Sequence, residues 1–135
     1  MGAGQTVLIV DDVEEQREVG LSMLQKLNYR AEAVPSGEAA LDYLSTHTVD
    51  LLLLDMVMAP GMDGLDTYKR IVERYPHQKA IIASGFSETE RVKALQALGA
   101  GAYLKKPYTL EKLGVAVRLE LFRSTADSPR SISVR

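Results

Sequence analysis

The 135-residue sequence contains no cysteine, no tryptophan, two phenylalanines and two histidines, His47 and His77. Without cysteine, disulfide bonds, thiol catalysis and cysteine-ligated zinc are excluded. With so few histidines a histidine-rich metal site is disfavoured, and we interpret both as surface or turn residues. An excess of one charge is missing too, with 16 Lys and Arg against 18 Asp and Glu and a net charge of −2. We therefore expect no nucleic-acid partner.

Long hydrophobic segments are also missing. No apolar run approaches the ~20 residues that span a bilayer, and residues 1–5 lack the charged and apolar regions of an export signal. We therefore expect a cytoplasmic protein without membrane contact. The length and the 46% hydrophobic content suit one folded domain. We place this domain at residues 5–123, after a flexible lead-in (1–4) and before a polar, disordered tail (124–135).

Two unbroken apolar runs are the most informative segments that are present. Residues 6–10 are followed by Asp11 and Asp12; in the segment 49–55 the run Leu51–Leu54 is followed by Asp55. Apolar runs without alternation are typical of strands buried on both faces of a parallel sheet. Further strands are predicted from hydrophobic pattern and flanking turn residues, giving five in all: 6–10, 29–34, 49–55, 79–83 and 101–104.

Helical spacing of apolar residues follows each predicted strand. Gly20, Leu24 and Leu27 share one face of the first predicted helix, Asn28 fits its carboxyl end, and Ser36 fits the cap of the second. The predicted helices cover about 13–27, 37–44, 65–75, 88–98 (capped by Ser87) and 110–122. Strands that alternate with helices predict an α/β fold, a flavodoxin-like (βα)5 doubly wound parallel sheet with strand order 2-1-3-4-5.

In this topology the carboxyl ends of strands one and three meet at the switch point, where α/β sheets bind ligands. Asp11, Asp12 and Asp55 would then share one pocket. Three ionised carboxylates repel one another there unless a cation compensates their charge. A hard divalent cation such as Mg²⁺ fits these oxygen ligands. Ser84 and Lys106 follow strands at the same edge, where a hydroxyl and an ammonium could hold a phosphoryl group under attack by a carboxylate.

The chain resembles the receiver domains of two-component response regulators (CheY-like) over about residues 5–123. Four motifs carry the resemblance, each after its strand: Val10-Asp11-Asp12, Leu54-Asp55, Ala83-Ser84-Gly85 and Lys106-Pro107. The resemblance implies that Asp55 accepts a phosphoryl group from the phosphohistidine of a histidine kinase or its phosphotransfer domain. It further implies that Lys106 and Ser84 contact the phosphoryl oxygens, and that Tyr103 is a switch residue that moves with Ser84.

The same resemblance implies a Mg²⁺ site. Asp12, Asp55 and the backbone carbonyl of Val57 would be direct ligands, and Asp11 would act mainly through water. The protein would catalyse only its own phosphorylation and dephosphorylation, and so would not be an enzyme with an outside substrate.

Two departures from the family pattern stand out. Pro60 follows Asp55 by five residues instead of four, which resembles receivers at the C-terminal end of hybrid sensor histidine kinases. The chain is therefore either a free-standing regulator or a fragment of such a kinase. Val57 and Phe86 are apolar at positions where polar groups can position water, so we expect slow loss of the phosphoryl group.

The last predicted helix carries two apolar stripes. We assign the stripe of Leu110, Leu113, Val117 and Leu121 to the core. The second stripe would be exposed, with a charged rim of Glu111, Lys112, Arg118 and Arg123, and we expect it to form a homodimer interface. This second stripe consists of Val115, Leu119 and Phe122.

Three other functions compete with a phosphorylated receiver. A haloacid-dehalogenase-type phosphohydrolase needs a second Asp two residues after the nucleophile, where this chain has Val57. A flavodoxin-like cofactor binder needs a phosphate loop rich in Ser, Thr and Gly, but the first loop here is acidic. A pseudo-receiver that binds partners without phosphorylation is disfavoured by the complete set of acidic residues, Ser84 and Lys106.

Overall fold

The computed structural model describes residues 4–56, 63–85 and 90–122, in which five strands alternate with five helices. The strands are β1 Thr6–Val10, β2 Arg30–Val34, β3 Leu51–Asp55, β4 Ala80–Ser84 and β5 Tyr103–Lys105. The helices are α1 Glu14–Lys26, α2 Gly37–Leu44, α3 Gly64–Arg74, α4 Glu90–Ala97 and α5 Leu110–Phe122. The predicted tail (124–135) and most of the predicted lead-in (1–4) lie outside the described residues, so both stay predictions.

The strands form one parallel sheet in the order β2-β1-β3-β4-β5, which confirms the predicted topology. The register pairs Val10 with Leu54 and Asp55 with Ala83. The carboxyl ends of β1, β3 and β4 therefore lie level with one another. Side chains just after these ends meet at one edge of the sheet.

The sheet is covered on both faces, as the unbroken apolar runs predict. Leu8, Leu52 and Ile82 face a core that α2, α3 and α4 complete. Ile9 and Leu53 face the other core, which α1 and α5 complete. All five residues of β3 are buried. The central strands are thus held from both sides, and the ends that carry the aspartates have a rigid base.

Side chains fix several helix ends. The Ser36 hydroxyl accepts a hydrogen bond from the Ala39 N–H at 3.0 Å, which confirms the predicted cap of α2. Asp63 caps α3 in the same way, accepting from the Asp66 N–H at 2.9 Å. Asn28 ends α1 with a left-handed φ of 70°, in agreement with its predicted place at the helix end. The predicted cap at Ser87 lies outside the described residues.

Four strands begin later than predicted, β2 and β4 by one residue and β3 and β5 by two. Before β3 begins at Leu51, Asp50 is bonded to β1 twice: its N–H donates to Thr6 O at 2.9 Å, and its carboxylate accepts from the Thr6 N–H at 2.7 Å. At β5, Gly101 donates to Ala80 O at 2.8 Å before the ladder with β4 begins at Tyr103.

Helix α5 buries one face and exposes the other. Leu113 and Val117 are fully buried and Leu121 is half-buried, as predicted. The assignment of Leu110 to the core is wrong, since it is 37% exposed and the helix first reaches the core at Leu113. No helix in the described ranges is long and apolar enough to cross a membrane.

Candidate functional site

Three aspartates meet where β1 and β3 end. One carboxylate oxygen from each of Asp11, Asp12 and Asp55 lies within 4.8 Å of the others. Asp11 is 5% and Asp55 8% exposed, whereas Asp12 is exposed. The structure thus brings together the three acidic residues that the sequence places at the switch point.

Backbone contacts fix the turn that carries Asp11. Its Oδ1 accepts a hydrogen bond from the Val13 N–H at 2.9 Å, in a local turn that leads into α1. Its carbonyl oxygen accepts from the Arg17 guanidinium at 2.8 Å. Its own N–H donates to Val34 O at 3.2 Å. Contacts with α1 and with β2 therefore fix the orientation of the Asp11 carboxylate.

Lys106 joins the cluster from the segment directly after β5. Its Nζ lies 2.7 Å from Asp11 Oδ2 and 3.1 Å from Asp55 Oδ1, and it also donates to Gln16 Oε1. Its backbone N–H donates to Ser84 O at 2.8 Å, which holds the residue against the end of β4. The following peptide bond, to Pro107, is cis. The structure thus places Lys106 at the sheet edge where the sequence predicts it, and shows that it contacts two of the aspartates there.

The cluster holds more negative charge than one lysine balances. The pKa of Asp55 is raised from its ordinary 3.8 to about 6, chiefly because burial disfavours the charged carboxylate. The Lys106 ammonium opposes this rise, and the charges of Asp11 and Asp12 add to it. An additional cation would therefore be favoured in this pocket.

The donor set fits a magnesium ion. Two oxygens bound to the same Mg²⁺, each about 2.1 Å from it, lie at most about 4.2 Å apart. The three carboxylate oxygens lie within 4.8 Å of one another, which is close to that limit. Exposed Asp12 leaves the site open to water, which Mg²⁺ keeps among its ligands. The predicted ligand Val57 lies outside the described residues, so the structure does not test its carbonyl.

Ser84 and Tyr103 occupy neighbouring strands of the same half of the sheet. Ser84 ends β4, is 3% exposed and lines the groove that also contains Asp55. Tyr103 begins β5, pairs with Ile82 and packs half-buried against the core on the α4 side. Ser84 thus lies at the site and Tyr103 on the neighbouring strand, and their role as a switch stays a prediction. Phe86 lies outside the described residues.

Two contacts at the site were not predicted from the sequence. Gln16 reaches Lys106 from the first turn of α1, and only its place just after the first acidic loop could have suggested it. Gly64 packs directly under Asp55, where a Cβ atom would lie 2.6 Å from Asp55 O and 2.9 Å from Met56 Cα. The Asp63-Gly64 pair indicated a loop in the sequence, but not this close approach.

An open groove of about 620 Å³ extends from the site along α1. Its apolar part is formed by Val13, Val19, Met23, Pro107 and Tyr108. The pKa of Tyr108 is raised to about 12, first by burial and then by the charges of Asp11 and Asp55. The Tyr108 hydroxyl thus stays protonated beside the acidic cluster. The two histidines line a different groove, in agreement with their predicted place away from the site.

The comparisons with known proteins agree with this geometry. A family model described as the response regulator receiver domain matches residues 7–118. Transcriptional regulatory protein CpxR of Escherichia coli (strain K12) is 36% identical over 118 residues, covering 87% of this chain and 50% of CpxR. The chain spans about half the length of the curated regulators that it matches.

The relatives also include a sensor kinase. Autoinducer 1 sensor kinase/phosphatase LuxN of Vibrio campbellii (strain ATCC BAA-1116) is 36% identical over 123 residues, covering 91% of this chain and 14% of LuxN. Because CpxR is equally similar, a special likeness to hybrid-kinase receivers is not confirmed. Among solved structures, chemotaxis protein CheY4 of Vibrio cholerae has a TM-score of 0.82 and 26% identity, covering 87% of this chain and 99% of that chain.

Proposed function

Because the chain belongs to the response regulator receiver domain family of two-component signalling, we propose that Asp55 is a phosphoryl acceptor. Its donor would be the phosphohistidine of a histidine kinase or of a phosphotransfer domain. The observation that carries the proposal is the Asp55 carboxylate, buried at a strand end beside two more aspartates and 3.1 Å from the Lys106 ammonium. A buried carboxylate that lines an open groove and has an ammonium beside it is a suitable nucleophile.

In the proposed step a carboxylate oxygen of Asp55 attacks phosphorus. The P–N bond to the donor imidazole breaks, its electron pair stays on the histidine nitrogen, and an acyl phosphate forms on Asp55. Lys106 donates to the phosphoryl oxygens as negative charge moves toward Asp55, and Ser84 donates to one of them. Lys106, which already lies at Asp55 before the reaction, would lower its barrier with little reorganisation.

Asp12, Asp55 and the Val57 carbonyl would hold Mg²⁺, with Asp11 acting through water. The bound ion would supply positive charge that offsets repulsion between the aspartates and the incoming phosphoryl oxygens. Lys106 and Ser84, which can donate hydrogen bonds to the phosphoryl oxygens, would orient the phosphoryl group for in-line attack. Val57 and Phe86 are apolar residues that cannot position water, so they would slow hydrolysis of the acyl phosphate on Asp55.

The output of this reaction would be a change of surface. Phosphorylation adds a charge of about −1.5 to −2 and three strong acceptor oxygens. New hydrogen bonds to Ser84 and Lys106 would exist only in the phosphorylated state, so they favour one of two conformations by about 1–3 kcal/mol. Tyr103 would follow Ser84 and transmit the change to the α4 side. The protein would act as a switch without an outside substrate.

Mass spectrometry after incubation with acetyl phosphate and Mg²⁺ tests this function. We expect a gain of one phosphoryl mass in the wild type and in Asp42→Asn, a control that removes an exposed carboxylate on α2. We expect no gain in Asp55→Asn. An unmodified but folded wild type would favour the partner-binding pseudo-receiver, and a modified Asp55→Asn would move the acceptor to another residue.

The chain acts either alone or as part of a hybrid kinase. The five-residue spacing from Asp55 to Pro60, one residue longer than the common pattern, supports the hybrid kinase. An immunoblot of source cells with an antibody against this domain separates the two. A band near the mass of 135 residues would indicate a free-standing regulator. A band several times larger would indicate a kinase.

A second copy of the chain is the partner that α5 fits. Val115, Leu119 and Phe122 are 40%, 45% and 76% exposed, on the face of the helix opposite the buried Leu113 and Val117. Residues of both charges, Glu111, Lys112 and Arg118, flank this stripe and are exposed. A stripe with mixed charges at its rim can be complementary to its own copy across a two-fold axis.

A further inference from the structure

The Lys106 ammonium has three N–H donors, and the structure gives each one an acceptor. Two acceptors are the carboxylates of Asp11 and Asp55, at 2.7 and 3.1 Å. The third is Oε1 of Gln16, an amide oxygen on α1. Gln16 is exposed and contributes no charge. Its hydrogen bond therefore orients the ammonium without changing the net charge of the site.

We propose that Gln16 is a positioning residue for phosphoryl transfer, acting through Lys106. The inference rests on the proposed phosphoacceptor function of Asp55. Gln16 would touch neither the phosphoryl group nor a metal ion. Its role would be to keep the ammonium above the end of β3, where the attacked phosphoryl group has to lie.

The backbone around Gln16 is fixed well enough for this role. α1 begins two residues earlier, and its entry is held by the Val13 N–H on Asp11 Oδ1 and by the Arg17 guanidinium on Asp11 O. The amide of Gln16 thus starts from a helix turn that is itself tied to the acidic cluster. A hydrogen bond to an acceptor on this fixed helix turn restricts the flexible lysine side chain more than a contact with solvent would.

Gln16 matters most while the bonds of Lys106 are being exchanged. When a phosphoryl group arrives at Asp55, one N–H of Lys106 turns from the carboxylate to a phosphoryl oxygen. Asp11 and Gln16 can keep the other two donors throughout, so the ammonium rotates about a fixed position. Without Gln16 only Asp11 would hold it, and the ammonium would spend less time in the productive orientation.

Phosphorylation kinetics with acetyl phosphate at saturating Mg²⁺ test the proposal. We expect Gln16→Leu, which removes the acceptor, to lower the limiting rate constant about tenfold, which corresponds to about 1.4 kcal/mol. Gln16→Glu keeps an acceptor oxygen and should restore the limiting rate to within about threefold of wild type. Gln25→Leu makes the same change at an exposed position near the other end of α1 and should be without effect.

A second readout does not depend on activity. An ammonium held by three acceptors gives an observable side-chain ¹H–¹⁵N NMR signal, and we assign it by its loss in Lys106→Met. We expect this signal in the wild type and in Gln25→Leu, and its broadening in Gln16→Leu.

The outcomes separate the two proposals. A wild type that is not phosphorylated would overturn the function of Asp55 and this inference together. A phosphorylated wild type would overturn this inference alone if Gln16→Leu reached the same limiting rate, or if its Lys106 signal were unchanged. A slow Gln16→Leu with an unchanged Lys106 signal would assign the lower rate to general disturbance of α1.

Discussion

Asp55 has a pKa of about 6, above the ordinary 3.8 of an aspartate, chiefly because it is buried. A folded state that raises the pKa of an acid binds its proton more tightly than the unfolded chain does. The ionised carboxylate therefore destabilises the fold above pH 6, and this cost vanishes as the pH falls toward 4. The proposed phosphoryl acceptor thus lowers the stability of the protein at neutral pH.

Replacing Asp55 with Asn removes this cost. Each pKa unit corresponds to about 1.36 kcal/mol, so we expect Asp55→Asn to raise the free energy of unfolding at pH 7 by about 1–3 kcal/mol. Urea unfolding without Mg²⁺, at pH 7 and pH 4, measures the difference from wild type. The advantage should be present above pH 6 and lost near pH 4. A variant less stable than wild type at pH 7 would show that the Lys106 ion pair outweighs burial.

Residue chemistry explains which parts of the site could be predicted. Asp11, Asp12 and Asp55 follow apolar runs, and Lys106 and Ser84 follow later strands, so their residue types and places are visible in the sequence. Gln16 could not be identified, because a glutamine in the first turn of a helix is ordinary until the distant Lys106 is seen to donate to it.

At the level of the elements, Gly64 is the point at which α3 packs closely against the end of β3. Its N–H donates to Met56 O at 3.0 Å, and a Cβ atom there would lie 2.6 Å from Asp55 O. Because both partners are backbone, no rotamer change could relieve the overlap. We expect Gly64→Ala to lower the free energy of unfolding by about 1–3 kcal/mol, as overpacking does.

The matched control is Gly85→Ala, since a Cβ atom at Gly85 meets nothing within 4 Å. Urea unfolding of both variants at one pH should give a loss only for Gly64→Ala. Equal stabilities of the two variants would mean that α3 can shift away from β3 at little cost.

Helix α5 carries the prediction about self-association. We expect Leu119→Glu to place a charge in the exposed stripe and to shift the monomer–dimer equilibrium toward monomer at least tenfold, the effect of about 1.4 kcal/mol. Val19→Glu makes a comparable change at an exposed position on α1 and should leave the equilibrium unchanged. Sedimentation velocity over a range of concentrations measures both. A wild type that is monomeric throughout, or a dimer insensitive to Leu119→Glu, would contradict the interface.

Element boundaries were harder to predict than element types. Apolar periodicity indicated every strand and helix that the structure describes, because burial on a sheet face or helix face selects it directly. The starts of β3 and β5 were each predicted two residues early. Asp50 and Gly101 do bond to the neighbouring strand, through Thr6 and Ala80, but the regular ladders begin only at Leu51 and Tyr103, and the hydrophobic pattern does not show that difference. Leu110 was misassigned because periodicity gives the face of a helix, not the residue at which that face first meets the core.

For the whole molecule, the strand order 2-1-3-4-5 joins distant segments into one site. Asp11 and Lys106 are 95 residues apart in the chain, and they meet at 2.7 Å because β1 and β3 are neighbours and the loop after β5 folds back over them. The rules for parallel α/β connections make this order predictable from the alternation of strands and helices. Only the order of elements was needed to place the three aspartates together.

A ligand that binds this assembled cluster must stabilise the whole fold. The unfolded chain scatters Asp11, Asp12 and Asp55, so Mg²⁺ should bind the folded state alone and raise its stability by RT ln(1 + [Mg²⁺]/Kd). At a hundredfold excess over Kd this is about 2.7 kcal/mol, a rise in Tm of about 10 °C for a domain of this size.

Thermal unfolding with and without Mg²⁺ at pH 7.5 measures this rise in wild type, Asp12→Asn and the control Asp42→Asn. We expect the full rise in the control and little rise in Asp12→Asn, even though loss of a repelling charge raises the Tm of that variant without metal. Because the proton on Asp55 competes with the ion below its pKa of about 6, the rise in wild type should shrink at pH 5.5. An equal rise in Asp12→Asn, or one that grows at pH 5.5, would place the ion away from the cluster.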